Sequence, residues 1–312
     1  MHAYLLRRTI AVLPVALIVS IIAFLLVQLS PGDPASFYVS PESPPEQVER
    51  VREQLGVDQP IYVQFGNWAA RAVQGDLGQS FYQRRPVLTA YASALPVTVS
   101  LAGLSLLIAV LLALPIGLFS ALKSGSFLDK LATGFIFIGV SMPNFWLGML
   151  LVLFVSLNFD IFPAQGYDTT NLATRFNSLL LPAIALGYSQ AAIIARMTRS
   201  SMLEVMRQDY VQTAKAKGLR YWVVLFKHAF INAFNPILTV IGLAVASLVA
   251  GSVVIETVFN LPGIGQLTVN SVLRRDFPVI QGALLLTAVL IIVVNLIVDI
   301  LYAVLDPRIR YE

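Results

Sequence analysis

The chain has 312 residues, of which 57% are hydrophobic and only 12% are charged, and its formal net charge is +4. A soluble domain carries roughly twice that fraction of charged residues, so the composition favours an integral membrane protein. Cysteine is absent, which excludes disulfides, thiolate metal sites and cysteine nucleophiles. His2 and His228 are far apart in sequence, which rules out a multi-histidine metal site, and no carboxylate cluster or mixed basic and aromatic patch suggests a metal or nucleic acid.

The first apolar segment, 10–29, is long enough to cross a membrane. It has twenty uncharged residues, which span a hydrocarbon core of about 30 Å as a helix. A cleaved signal peptide is the alternative. We disfavour it because the apolar run exceeds a usual signal core and is followed by SPGDP rather than by small residues of an A-x-A cleavage site.

Five further uncharged segments follow, at 97–122, 131–157, 179–195, 229–255 and 280–298. Pro115 and Pro143 lie inside two of them, which is tolerated in a membrane where neighbouring helices satisfy the freed carbonyl groups. The sequence therefore predicts an all-α integral membrane protein with six transmembrane helices.

The segment 30–95, between the first two predicted spans, is polar and rich in proline and glycine. Its residues 43–46, SPPE, are typical of a helix start, with a cap, a proline in the first turn and a glutamate at the third position. A second amphipathic stripe is formed by Ile61, Phe65, Trp68 and Ala72. The segment is predicted to be a small folded cap of two short helices.

The distribution of basic residues predicts the orientation of the spans. Six spans place both termini on one side, and that side carries thirteen Lys and Arg residues, seven of them between the fourth and fifth spans. The short loops on the other side carry only Arg175, Arg274 and Arg275. By the positive-inside rule, both termini are expected in the cytoplasm and the cap outside.

The segment 204–239 is a polar, basic stretch between strongly apolar ones. Helical spacing predicts two helices broken near Gly218, with the first covering 204–217. Gly218 suits the left-handed position after a helix end. Ala214 and Ala216 are small enough to let a docking surface approach. A rigid helix of this kind could transmit the motion of a soluble partner into the adjoining span.

No catalytic or nucleotide-binding motif is found. The P-loop pattern is absent, as are G-x-S-x-G and H-E-x-x-H, and His228 has no nucleophile or acid close to it in sequence. Polar residues within the spans are few, namely Asn144, Gln190, Asn295 and Asp299. Without rows of buried charges or an internal repeat, an ion-coupled carrier is disfavoured. An ATP-independent carrier or channel, and a membrane anchor for cytoplasmic proteins, nevertheless stay open as alternatives.

Several strings, in order along nearly the whole chain, resemble one family. They are LSPGDPA (29–35), LGVDQPIYVQF (55–65), QGDLGQSF (74–81), SMPNFWLGMLL (141–151), LPAIALG (181–187), ARMTRSSMLEVMRQDYVQTAKAKGL (195–219), ETVFNLPGIGQL (256–267), RRDFPVIQG (274–282) and VNLIVDILYAVLDPRIRY (294–311). The chain resembles the inner-membrane permease subunits of bacterial ABC importers of the peptide/opine/nickel class, with the dipeptide, oligopeptide and glutathione members as the best match.

The family pattern E-A-A-x-x-x-G is matched here only at Ala214 and Gly218, whereas Gln212 and Thr213 depart from it, as the peptide-class permeases also do. The resemblance implies type I importer architecture and a cytoplasmic coupling helix that docks into an ATPase subunit. The implied coupling residues are Asp209, Tyr210, Gln212, Thr213, Ala214, Lys217, Gly218, Leu219 and Arg220.

The resemblance also implies four partners and a division of labour between them. They are a second permease of the same fold, two ATP-binding subunits and an external solute-binding protein. ATP and Mg²⁺ belong to those subunits, so the chain itself is expected to be no enzyme and to hold no cofactor. Candidates for the solute path are Ser141, Pro143, Asn144, Gln190 and Asn295.

The expected organisation has four parts. Residues 1–29 form the cytoplasmic N-terminus and first span, 30–95 the external cap, 96–305 the five-span core with the coupling loop 196–228, and 306–312 the cytoplasmic tail.

Overall fold

A computed structural model describes residues 2–29, 44–55, 58–159 and 161–305. They form twelve helices: α1 His2–Gln28, α2 Pro45–Leu55, α3 Ile61–Val73, α4 Val87–Leu122, α5 Phe127–Ser141, α6 Asn144–Leu151, α7 Leu172–Val205, α8 Asp209–Ala216, α9 Tyr221–Val223, α10 Ile231–Val258, α11 Ile264–Leu273 and α12 Phe277–Leu305. Two π-helical segments, Val152–Ser156 and Val224–Phe230, continue α6 and lead into α10. Within the described ranges the only β-pairing is a single bridge between Gln79 and Pro86. The prediction of an all-α protein is confirmed.

Four helical stretches among the described residues are long and apolar enough to cross a membrane: Val87–Leu122, Leu172–Val205, Tyr221–Val258 and Phe277–Ile300. The α5–α6 pair counts as a fifth if its two halves form one span. The predicted span at 10–29 overlaps α1. The apolar stretch Pro14–Gln28 of this helix is shorter than the four stretches above. Among the described residues, four of the six predicted spans thus have the length and composition required, or five if the α5–α6 pair is one span, and α1 lies at the position of the remaining one.

The predicted span 131–157 is broken rather than continuous. α5 ends at Ser141, α6 begins at Asn144, and the two axes differ by 105°. Met142 has an extended backbone, because proline disfavours the helical conformation in the residue before it, and Pro143, which lacks an N–H group, is extended as well. The break therefore lies at Pro143 and Asn144, two of the residues named above as candidates for the solute path.

The chain divides into two compact units, the first formed by Met1–Pro96 and Gly263–Val293. Within it, Phe24 of α1 packs edge-on against Phe65 of α3 at 5.5 Å and lies 5.9 Å from Trp68. A hydrogen bond of 2.8 Å between Gln28 and Gln64 lies beside these rings. Phe65 and Trp68 of the apolar stripe predicted for the second cap helix therefore pack on α1, whereas Ile61 of that stripe is 52% exposed.

The second unit consists of Val97–Pro262 and Val294–Glu312, and α7 is its central helix. In the most apolar stretch of α7, 67% of the residues are buried, because α5, α6 and α10 all pack on this helix. Its core is built from small side chains, with Ala109, Ala113, Ala191, Ala195 and Ala244 all buried beside Ile136, Ile194 and Ile237. Small residues let helix backbones approach closely, which drives helix association where water is absent.

The region between α7 and α8 differs from the sequence-based expectation. A single helix over 204–217 is wrong, since α7 ends at Val205, residues 206–208 form a turn, and α8 begins at Asp209. Gln208 caps α8 with an extended backbone and makes no side-chain cap bond. Propensity alone favours helix throughout, but the turn reorients α8 so that its apolar residues reach the end of α7.

Candidate functional site

α8 is held in place through one face. Val211 is fully buried and Ala214 is 6% exposed, and both pack with Val224, which is 2% exposed. Val205 and Met206, at the end of α7, cover the same cluster. Residues three apart lie on the same face of a helix, so α8 is fastened simultaneously to the end of α7 and to the start of the π-helical segment.

The side chain of Gln212 strengthens this attachment. Its Nε2 donates a hydrogen bond of 2.8 Å to the carbonyl oxygen of Met206 in the turn before α8. That bond satisfies a carbonyl near the end of α7, where main-chain acceptors lack helical partners. α8 therefore has both apolar and polar links to the helix that precedes it.

The opposite face of α8 is open. Most of the residues implied as coupling residues are exposed: Asp209, Tyr210, Gln212, Thr213, Lys217, Gly218, Leu219 and Arg220. Among them, Tyr210 and Leu219 have exposed fractions of 44% and 43%. Partial burial of its ring raises the pKa of the Tyr210 phenol, which keeps it a neutral hydrogen-bonding group. The surface combines apolar and basic side chains with the solvent-exposed C-terminal turn of α8.

Ala214 is the exception among the predicted docking residues. The expectation that it lets a docking surface approach is wrong, because its side chain faces the Val211–Val224 cluster. Its small size instead allows α8 to lie close against the π-helical segment. Ala216 is exposed and keeps the role predicted for both alanines.

The end of α8 is a Schellman turn. Gly218 has a φ of +73°, its N–H donates to the carbonyl of Lys215, and the N–H of Leu219 donates to the carbonyl of Ala214. These two bonds satisfy carbonyls that the helix leaves without partners. The left-handed conformation predicted for Gly218 is confirmed, and it turns the chain sharply before Arg220 and α9.

The candidate path residues are only partly brought together. Gln190 of α7 donates a 3.0 Å hydrogen bond to Ser247 of α10, on an exposed surface of the second unit. Ser141 and Asn144 flank the break between α5 and α6, and Asn295 is exposed on α12. Ser247 is a path candidate that the sequence did not suggest, because an isolated serine in an apolar segment carries no signal by itself.

No group of three or more His, Asp or Glu side chains that could hold a metal ion occurs within the ranges that the structure describes. The open surface of α8 carries aromatic, aliphatic and basic groups side by side.

Comparison with known proteins decides the family. Residues 113–311 match the model of the family described as "Binding-protein-dependent transport system inner membrane component", and residues 1–102 match the model of the corresponding N-terminal region. The chain belongs to this family.

Curated relatives support the assignment over the full length. A permease protein of Brucella abortus (strain 2308), assigned to a peptide transport system, is 45% identical over 100% of both chains. The oligopeptide transport system permease protein of Bacillus subtilis (strain 168) is 40% identical, again over 100% of both chains. The glutathione transport system permease protein of Escherichia coli O6:H1 is 42% identical over 99% of each.

The fold of the permease is also similar to that of solved importers. An inward-facing structure of the MetNI methionine ABC transporter superposes with a TM-score of 0.58 at 17% identity, covering 70% of this chain and 96% of that chain. This identity is low enough that the likeness concerns the fold alone. The permease is thus a multi-pass inner-membrane subunit of an ABC importer and not an enzyme, and such subunits work with ATP-binding subunits and a solute-binding protein.

Two buried polar pairs of the permease were not found from the sequence. Asp129, 5% exposed, forms an ion pair with Arg199, and Glu256, fully buried, accepts a 2.7 Å hydrogen bond from the hydroxyl of Thr98. Each carboxylate lies at the edge of an apolar segment, where the sequence pattern places loops. An acidic residue beside a predicted span could have pointed to each pair, because an ionisable group at such a position needs a partner.

Proposed function

We propose that the permease forms half of a membrane path for peptide-type solutes and receives the motion of an ATP-binding subunit through α8 and the turn up to Arg220. The observation that carries this proposal is the two-sided character of α8. Val211 and Ala214 fasten its inner face to the rest of the second unit, whereas its outer face and C-terminal turn are exposed.

The chemistry of the outer face defines what would bind there. Tyr210 and Leu219 offer apolar and aromatic contact, and Lys217 and Arg220 add positive charge beside them. Aromatic anchors surrounded by a charged rim are characteristic of specific protein interfaces. A complementary groove on the ATP-binding subunit would have an apolar floor and acidic residues at its edge.

The attachment of α8 explains how a push on it would reach the membrane. α8 cannot slide independently, because Val211 lies in the same cluster as Val205, and Gln212 is bonded to Met206. Closure of two ATP-binding subunits would therefore move the end of α7 together with α8. Packed helices switch between discrete arrangements rather than deforming continuously, which suits alternating access to opposite sides of the membrane.

The proposed cargo is a dipeptide, an oligopeptide or glutathione, in keeping with the transport systems of the relatives. The proposed path uses the residues at the α5–α6 break, Ser141, Pro143 and Asn144, together with Gln190 and Asn295. Gln190 and Ser247 would offer amide and hydroxyl groups to a peptide backbone, since both lie on an exposed polar surface between two apolar helices.

The proposed assembly contains a second permease of the same fold, two ATP-binding subunits and an external solute-binding protein. Both termini and α8 would lie in the cytoplasm, because the basic residues concentrate on that side, and the cap at 30–95 would face the binding protein. ATP and Mg²⁺ would be bound by the partner subunits alone.

A charge placed on the outer face of α8 tests the docking role. Leu219→Glu should reduce co-purification of the ATP-binding subunit more than tenfold, because it introduces a carboxylate into an apolar contact near the centre of the interface. The control is Leu273→Glu, since Leu273 is 77% exposed in α11 of the other unit. Retention of the subunit by Leu219→Glu would overturn the proposal.

Uptake into proteoliposomes tests the energy source. Reconstituted permease complex with its binding protein should accumulate labelled peptide only with internal ATP, and the Leu219→Glu complex should not. Uptake that persists without ATP and collapses with the ion gradient would establish a secondary carrier instead.

A further inference from the structure

An ion pair joins the start of α5 to the last turns of α7. Nε and Nη2 of Arg199 donate to the two carboxylate oxygens of Asp129, each at 2.9 Å. The hydroxyl of Ser120 and the backbone N–H of Gly125 also donate to this carboxylate, and Arg199 Nε lies 3.0 Å from Ser120 Oγ. The two-pronged geometry makes the link directional as well as charged.

This cluster connects three helices and one turn of the second unit. Ser120 belongs to the end of α4, Gly125 to the turn between α4 and α5, and Asp129 to the first turn of α5. Arg199 lies in the C-terminal part of α7, which ends at Val205 just before α8. The ion pair is therefore the polar connection between the α4–α5 turn and the part of α7 that leads directly into the proposed docking helix.

The helices α4 and α7 are closely packed beside this ion pair. A Cβ atom added at Gly117 of α4 would lie 2.6 Å from the carbonyl oxygen of Ala195 and 2.6 Å from the Cβ of Thr198, both on α7. The neighbouring apolar cluster contains Ala121 and Met202. Smooth contacts between small apolar groups permit sliding along a helix axis, whereas a bidentate ion pair holds one register.

Stability alone does not require a charged pair at this position. Asp129 is 5% exposed, so its carboxylate has lost most of its contact with water, whereas the side chain of Arg199 keeps an exposed fraction of 30%. A buried ion pair often contributes no more to stability than apolar residues of similar volume, and its best-supported use is to specify one arrangement. The Asp129–Arg199 pair meets that description, since it fixes how α7 lies against the α4–α5 turn.

We propose that Arg199 and Asp129 are positioning residues for transport, which make the α4–α5 turn follow the movement that α8 imposes on α7. The proposal rests on the docking role of α8. Loss of the pair would let α7 move without carrying α4 and α5, so ATP hydrolysis would continue while solute uptake falls.

Arg196 offers a matched control on the same helix. It is exposed and forms no ion pair within the described part of the chain, although it carries the same charge three residues before Arg199. Arg196→Gln therefore removes a positive charge from the end of α7 without touching the link to Asp129.

The experiment compares variants in the complete complex, reconstituted in proteoliposomes with ATP-binding subunits and binding protein. Asp129→Asn and Arg199→Lys should each lower the peptide taken up per ATP hydrolysed about tenfold, a usual size for a coupling between sites. Lysine keeps the charge but loses the fork-shaped contact. ATPase activity should stay within about twofold of wild type, as in Arg196→Gln. An unchanged ratio in both variants would overturn the proposal.

A double variant separates positioning from folding. Asp129→Asn combined with Arg199→Met removes both charges, so its melting temperature should exceed that of Asp129→Asn alone, which leaves a charge without its partner. Its uptake per ATP should nevertheless stay low. Recovery of both the melting temperature and the ratio would make the pair merely structural and overturn the proposal.

The same samples distinguish this proposal from the docking role of α8. Co-purification of the ATP-binding subunit should be equal in wild type, Asp129→Asn and Arg199→Lys, and should be lost only in Leu219→Glu. If Leu219→Glu retains the ATP-binding subunit, the docking role is wrong, and the positioning role that rests on it is wrong too. If Leu219→Glu loses the subunit while Asp129→Asn and Arg199→Lys keep the wild-type uptake per ATP hydrolysed, only the positioning role is wrong.

Discussion

Asp276 accepts a hydrogen bond from the hydroxyl of Ser80, two residues that are 196 positions apart in sequence. Both are 2% exposed, and the same carboxylate accepts from the backbone N–H groups of Phe81 and Tyr82 at 3.1 and 3.3 Å. The guanidinium of Arg274 lies 3.5 Å above the ring of Tyr82. One buried carboxylate thus ties the segment before α4 to the turn before α12 within the first unit.

Replacement of Asp276 should loosen this turn. We expect Asp276→Asn to lower the free energy of unfolding by about 2–3 kcal/mol, because three donors lose a charged acceptor and the amide group adds donors where acceptors are needed. Thermal unfolding of the purified permease in detergent measures the effect. Ser80→Ala removes one of the three bonds and also the acceptor of the Gln83 N–H, so it should cost about 1–2 kcal/mol. Equal melting temperatures for Asp276→Asn and wild type would contradict this role.

Gly139 should be intolerant of even a methyl group. A Cβ atom there would lie 2.6 Å from the Cβ of Ala192 on α7 and 3.2 Å from the ring of Tyr188. Gly139→Ala should destabilise the permease by about 1–3 kcal/mol through overpacking. Gly134 provides the control, since it lies in the same helix with nothing within 4 Å of its Cβ position. Gly134→Ala should be neutral or stabilising by up to about 1 kcal/mol, because alanine favours helix.

A compensating change would test the cause of the Gly139 effect. Ala192→Gly removes the atom that the new methyl group meets, so the Gly139→Ala and Ala192→Gly combination should recover part of the lost melting temperature. A double variant that melts below both single variants would show that close α5–α7 contact is not the reason.

Substitutions at Gly218 can separate the effect of backbone conformation on stability from the effect of docking. Its φ is +73° and no atom of another described residue, its chain neighbours apart, lies within 4 Å of its Cβ position, so a side chain meets strain but no steric clash with them in the free permease. Gly218→Ala should cost about 1 kcal/mol, and Gly218→Asn less, because asparagine tolerates the left-handed conformation. Melting temperatures of the isolated permease, compared among the three proteins, measure this difference.

The same position should respond to charge when the ATP-binding subunit is present. Gly218→Asp and Gly218→Asn are similar in size and conformational preference, so a larger loss of subunit binding in Gly218→Asp isolates the effect of a negative charge beside Lys217 and Arg220. If the two variants bind the subunit equally, electrostatic complementarity does not contribute to the proposed interface, whatever their melting temperatures.

Features that depend on neighbouring residues were predictable. The left-handed Gly218 and the amphipathic α3 follow from backbone sterics and side-chain spacing within one segment, and the structure confirms both. The turn at 206–208 was missed because its residues have no strong breaking tendency. It forms because packing of Val211 against Val224 outweighs the preference for a continuous helix.

By itself, the sequence determined that this protein is a helical membrane protein, since apolar length and residue spacing respond to the bilayer and to the backbone, both of which act locally. Tertiary structure alone decided which residues meet. Ala214 faces inward, and Arg199 pairs with Asp129, 70 positions away. Such partners are chosen by the relative placement of whole helices, which depends on close packing of small residues such as Gly117 and Gly139 rather than on any one segment.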